Sequence, residues 1–182
     1  MQFMIDCLPA IRSVLRGGNF TNPVEVLDVG TATGAGPALL GSLHRGTILG
    51  SSLRVDAMDL IRRYRGYARA AFPHINYICA NLFEYEPGRQ WDIVICSHTI
   101  EHLHDPMPLI RECQSRARTA ALFYAPYNEQ SLISGHLKSI GRDFVDALRP
   151  SHVEILESPG WQHPIDPISR TVLFLLEGTG RS

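Results

Sequence analysis

The stretch Asp28-Val29-Gly30-Thr31-Ala32-Thr33-Gly34-Ala35-Gly36 constrains this chain more than any other. It follows Val24-Glu25-Val26-Leu27-Asp28-Val29, a short β-branched run that reads as a buried strand of a parallel sheet. It opens into a helical stretch over about 36–44. Small residues at 30, 32, 34 and 36 let the backbone turn tightly and approach a ligand closely. In an open α/β sheet, ligands sit at the carboxyl ends of the strands, where this turn lies. A dinucleotide loop needs GxGxxG, with a pyrophosphate on the helix N-terminus. Here Ala32 takes the second glycine position and Ala35 the third. A P-loop needs Gly-Lys-Ser/Thr, and the only lysine in the chain is Lys138. What remains is Asp-x-Gly-x-(small)-x-Gly, a loop with a carboxylate at its entrance. A carboxylate there suits a cation better than a phosphate.

The rest of the chain continues the alternation. Strands are expected at 53–58, 75–79, 92–96 and 119–124, and helices at 60–71 and 106–117, with a less distinct one at 141–148. Two more strands, 153–156 and 171–176, close the chain as a long hairpin around a loop holding Pro159, Trp161, Pro164 and Pro167. The N-terminal run 3–16 puts Phe3, Leu8, Ile11 and Leu15 on one stripe, an amphipathic helix ended by Gly17-Gly18 that could cover the sheet or lid a pocket. The expectation is one domain over 1–182, a helical segment 1–22 followed by a core 23–182. The fold class is α/β, with helices on both faces of the sheet.

The block Trp91-Asp92-Ile93-Val94-Ile95-Cys96-Ser97-His98-Thr99-Ile100-Glu101-His102-Leu103-His104-Asp105-Pro106 adds a second signature. With the loop at 28–36 and Asp59 at the end of the second strand, it resembles the class I S-adenosylmethionine-dependent methyltransferases. That family reads FD-apolar-apolar here, followed by LEHL and DP. Trp91 stands for Phe and Ile100 for Leu, and Ala32 stands where the family often has glycine. The resemblance covers about 24–129. It implies a Rossmann-like methyltransferase fold with a mostly parallel seven-stranded sheet and a C-terminal antiparallel hairpin. It implies S-adenosyl-L-methionine as cofactor, held by Asp28, Gly30, Thr31, Ala32 and Gly34 of the loop. Asp59 would take the ribose hydroxyls, with Asp56 as a rival. Asn81 and Leu82 would meet the adenine, and Ser97 and His98 would line the remainder.

The histidine-rich segment admits several readings. His98-Thr99-Ile100-Glu101-His102 matches the inverted zinc-protease motif, but that motif needs a helix, and Pro106 and Pro108 follow at once. If the acceptor is a hydroxyl, a base must take its proton, and histidine suits that role near neutral pH. His98 and His102 are candidates for base or substrate contact, and His136 joins them because Ser134-Gly135-His136 resembles a glycine-histidine found after the fifth strand in some small-molecule methyltransferases; Glu101 and His102 also suit a purely structural tie. A divalent ion on some of these side chains stays open, but no metal ligand is assigned. Tyr127 and Glu129, after the fifth strand, could touch an acceptor.

Composition bounds the partners. The formal net charge is −1, and Arg62, Arg63, Arg65 and Arg69 fall at helical spacing as a solvated face, so no nucleic-acid partner is expected. The lack of D/N-P-P-Y/F/W after the fourth strand points away from adenine DNA methylation. No apolar run reaches the ~18 residues of a membrane span. Four scattered cysteines, with Cys79 and Cys96 in expected strands, suit a reducing, cytoplasmic setting. Without a secretory signal, the sequon Asn19-Phe20-Thr21 carries no weight. The expected reaction is O-methylation of a small molecule, sugar or lipid intermediate. The alternatives are a methyltransferase-like binding or partner subunit without catalysis and, more remotely, an NAD-dependent reductase. The oligomeric state is not read from the sequence.

Overall fold

β1 (Val24–Val29) lies inside a seven-stranded sheet of order β3-β2-β1-β4-β5-β7-β6. This computed structural model describes residues 2–20, 23–43, 52–157 and 169–179. The other strands are β2 (Leu53–Asp59), β3 (Asn76–Cys79), β4 (Trp91–Ser97), β5 (Ala117–Pro126), β6 (His152–Leu156) and β7 (Thr171–Glu177). β1 to β5 pair in parallel, and β7 runs antiparallel to both β5 and β6. The expected hairpin strands therefore do pair, but β7 enters between β5 and β6. The helices are α1 (Gln2–Gly17), α2 (Ala35–Leu43), α3 (Arg62–Ala71), α4 (Met107–Arg116) and α5 (Arg142–Ala147).

β4 is buried along Trp91 to Cys96 and β5 along Ala120 to Pro126, as near-continuous apolar strands require when both sheet faces are covered. On one face α1 and α2 bring Met4, Cys7, Ile11 and Leu40 onto Val26, Ile93, Ile95 and Tyr124. On the other, α4 and α5 bring Ile110, Cys113 and Val145 onto Leu27, Val94 and Phe123. α3 covers the β2–β3 end through Ala68 on Tyr77. No helix of the described residues is long and apolar enough to cross a membrane.

Polar side chains pin the strands. The Trp91 indole donates to Asp56 Oδ2 at 2.8 Å, and the Asn76 amide donates to Asp56 Oδ1 at 3.0 Å. Asp56 is thereby committed inside the sheet, which removes it as a rival to Asp59. Asp92 accepts from the Glu25 amide at 2.8 Å and from Arg118 at 2.9 Å. Arg116 is buried and donates to the carbonyls of Leu82, Tyr85, Glu86 and Arg89, holding the long loop after β3.

Two differences from the sequence expectations have local causes. α3 starts at Arg62, not at 60, because Asp59 Oδ1 takes the Ile61 N–H at 2.7 Å and so competes for the first helical turn. β5 runs from 117 to 126, since β7 pairs with it as far as Pro126. Cys79 ends β3 only half-buried; Cys96 is fully buried, and all four cysteines are free. Thr21 of the sequon, His44, and the stretch 158–168 with Pro159, Trp161, Pro164 and Pro167 lie outside the described residues.

Candidate functional site

The β1–α2 loop needs residues that tolerate left-handed backbone. Gly30, Ala32 and Gly34 have φ of 75°, 49° and 77°. At Gly30 space is decisive as well: a Cβ there would meet Thr99 Oγ1 at 2.1 Å. Ala32 carries its methyl group in that strained region and is held from both sides. Its N–H donates to Asp59 Oδ2 at 2.7 Å, and its carbonyl accepts from the Tyr77 hydroxyl at 2.7 Å. Burial pushes the Tyr77 phenol well up, so it stays a donor.

This loop forms one wall of a cavity of about 510 Å³ at the carboxyl ends of β1, β2, β3 and β4. The strand order reverses between β1 and β4, so the cavity lies where doubly wound sheets bind ligands. Gly30, Ala32, Asp59, Asn81, Leu82 and His98 all border it. So do Leu60, Ile61, Phe83, Thr99, His102 and Leu103. Among the described residues, Asp59 is the only acidic one in this lining, and no lysine or arginine contributes to it. A cavity of that charge favours a cation.

Asp28, Thr31, Gly34 and Ser97 stand behind the lining. Burial pushes the Asp28 carboxyl up to about 7, and the nearby Asp59 charge acts in the same direction, while the Thr31 hydroxyl opposes it. Ser97 Oγ is buried without a hydrogen-bond partner among the described residues. Such an atom needs an explanation, and a ligand group reaching the end of β4 would satisfy it. Asn81 shapes a turn: its amide oxygen accepts from the Phe83 N–H at 3.2 Å, and its amide nitrogen donates to Glu84 at 3.2 Å.

The histidines converge from different elements. His98, just past β4, has φ of 48°; its N–H donates to the Tyr124 carbonyl at 2.7 Å. Backbone held in this region by its surroundings is a recurring mark of functional sites. The His98 ring stacks on Phe3 of α1 at 3.7 Å, and its Nδ1 lies 3.1 Å from Glu101 Oε1. Ile100–His102 forms one 3-10 turn rather than the helix that a zinc-protease motif requires. His102 Nδ1 bonds the Gly135 carbonyl at 2.8 Å. The His136 ring lies 4.9 Å from the His102 ring, and His136 Nδ1 contacts both Glu129 oxygens at 2.9 and 2.8 Å.

Sequence reasoning missed Phe3 as a site residue and Glu129 as the buried partner of His136. The apolar stripe of α1 was the only signal for the first. Glu129 gave none, because its partner follows seven residues later across a non-repetitive segment.

Residues 27–123 match the family described as a methyltransferase domain. The N-methyltransferase NodS from Bradyrhizobium japonicum WM9 shares the fold with a TM-score of 0.66 at 15% identity, covering 93% of this chain and 92% of that one. Magnesium protoporphyrin IX methyltransferase (ChlM) from Synechocystis PCC 6803, with bound S-adenosylhomocysteine, gives 0.69 at 12% identity, covering 98% and 84%. The cyclase SpnF gives 0.65 at 12%, covering 93% and 80%. At these identities the likeness is one of fold. No curated protein matches the chain in sequence.

Proposed function

The chain belongs to the methyltransferase-domain family of S-adenosylmethionine-dependent class I enzymes, and from that premise we propose that it methylates the hydroxyl of a small acceptor. The carrying observation is the cavity itself. It runs from a loop and an acidic residue suited to the cofactor to a group of histidines suited to the acceptor.

The residues fit S-adenosyl-L-methionine. The cofactor is cationic and phosphate-free, and among the described residues the lining offers Asp59 and no lysine or arginine. Asp59 already accepts two backbone N–H groups, yet each carboxylate oxygen has a second lone pair for a ribose hydroxyl. Gly30 and Ala32 present backbone to the methionine part, with Asp28, Thr31 and Gly34 behind them. Ser97 Oγ gains a partner there, and Asn81 and Leu82 form the adenine side, where the turn fixes Asn81. The bound cofactor supplies a methyl group already activated as a sulfonium.

The protein's task is to place the acceptor and remove its proton. Positioning alone is worth up to ~7–11 kcal/mol in well-oriented cases. His98 is assigned as the base: it borders the cavity, Phe3 fixes its ring plane, and its Nδ1 lies 3.1 Å from Glu101 Oε1. His102 and His136 are assigned to the acceptor side. The whole of 1–182 is read as one domain, and four free cysteines suit a reducing, cytoplasmic setting. The partner is a small molecule; net charge −1 argues against a nucleic acid.

Calorimetry with S-adenosylhomocysteine tests the cofactor site. The protein should bind it, and Asp59→Ala should weaken binding at least tenfold, since both the ribose contact and the Ala32 anchor are lost. Turnover against hydroxylated and amine acceptors tests the reaction. Affinity without product on any acceptor would favour a binding subunit, and methyl transfer to amines alone would overturn O-methylation.

A further inference from the structure

We propose that Glu101, His102 and His136 form a binding site for a first-row divalent transition-metal ion at the acceptor end of the cavity. The sequence left a divalent ion open without assigning its ligands, because the three come from two segments that only the fold joins. One ligand atom from each residue lies within 4.8 Å of the other two. The juxtaposition is built by backbone: the N–H groups of Leu137 and Lys138 donate to the Glu101 carbonyl at 2.8 and 3.1 Å.

The second observation is Glu101 itself. Its side chain is 0% exposed, and neither carboxylate oxygen has a hydrogen-bond partner among the described residues. His98 Nδ1 comes within 3.1 Å of Oε1 but without hydrogen-bond alignment. An ionised carboxylate so placed carries a large desolvation cost. A cation would offset it, and Glu101 shares the cluster with His102 and His136.

The outer contacts have the form that metal-binding histidines use. His102 Nδ1 meets the Gly135 carbonyl and His136 Nδ1 meets the Glu129 carboxylate. These contacts fix the tautomers so that coordination falls to Nε2 of each ring. Two imidazoles and one carboxylate select Mn2+, Fe2+, Co2+ or Zn2+ over the oxygen-seeking Mg2+ and Ca2+. Three protein ligands leave coordination positions open, and His102 borders the cavity. An acceptor hydroxyl set against the ion is more acidic. The role toward the acceptor rests on the proposed methyl transfer; the binding of the ion does not.

The test uses chelator-treated full-length protein titrated with Co2+, followed by visible absorption and by metal content after gel filtration. One equivalent should bind. Glu101→Gln, His102→Ala and His136→Ala should each lower affinity by well over tenfold. Glu129→Gln, which changes the carboxylate that meets His136 Nδ1, should lower it ~10–100-fold. His104→Ala, an exposed neighbour outside the cluster, should leave it unchanged. His102 is exposed, so His102→Ala carries little folding risk, and each variant's S-adenosylhomocysteine affinity reports an intact fold. Substoichiometric Co2+ binding, or binding that survives both His102→Ala and Glu101→Gln, overturns the site. Stoichiometric Co2+ binding by protein that fails to bind S-adenosylhomocysteine would instead overturn the cofactor reading and leave the metal site standing.

Discussion

Replacing Gly30 by alanine adds one methyl group, and the structure says what that methyl meets. At φ of 75° an L-residue pays for left-handed backbone, about 1–2 kcal/mol. The new Cβ also falls 2.1 Å from Thr99 Oγ1, 2.8 Å from Thr99 Cγ2 and 3.0 Å from Thr99 Cβ. Overpacking of this kind costs roughly 1–3 kcal/mol. Together they predict a loss of ~2–5 kcal/mol, which in a chain of this size lowers Tm by about 5–20 °C. Gly66 supplies the contrast. It lies inside α3 with nothing within 4 Å of its ideal Cβ, so Gly66→Ala should stabilise by ~0.5–1 kcal/mol. Thermal and urea unfolding of both variants would show opposite signs. Thr99→Ala separates the two costs, because it removes Oγ1 and Cγ2 but leaves the backbone strain. The double variant Gly30→Ala/Thr99→Ala should therefore recover ~1–2 kcal/mol relative to additivity. A Gly30→Ala protein as stable as its parent, or strict additivity with Thr99→Ala, would refute this account of the loop.

Two further outcomes follow from buried carboxylates. Asp28 has its carboxyl raised from 3.8 to about 7, so between those values the folded state holds a proton that the unfolded state has released. Its contribution to stability is therefore greatest below pH ~4 and falls as pH rises toward 7, by roughly 4 kcal/mol at most. Asp28→Asn should remove that slope, seen as the parent-minus-variant difference in urea unfolding across the window; a pH-independent difference would contradict it. Trp91→Phe restores the residue the resemblance expects but deletes the indole donor to Asp56. The cost should be ~2–4 kcal/mol in chemical unfolding, reduced by adding Asp56→Asn, whereas a neutral Trp91→Phe would show that the bond is dispensable.

The β1–loop–α2 unit was legible because its signals are dense and local: a β-branched run, an acid, then small residues at alternate positions. Asp59 could be read from its place at a strand end. Its second task could not, since the Ala32 N–H reaches it from 27 residues away. Asn81 was read as an adenine contact, and its turn bonds show what else the amide does. The histidine cluster was legible as composition and opaque as geometry. His98 and His102 share a short segment yet take different partners, one Phe3 and Glu101, the other Gly135 and His136. Those partners are set by where α1 and the 127–140 segment fold back, and neither follows a period that a sequence displays.

The slot taken by β7 has a consequence for biosynthesis. β5 is finished at residue 126, but the strand that covers its flank is not complete until residue 177. During that interval a nascent chain offers the backbone of 120–126, flanked by side chains that are all buried in the finished protein, to any strand that arrives first. A ribosome stalled before residue 171 would release an open, uncharged edge of the kind that recruits neighbouring chains.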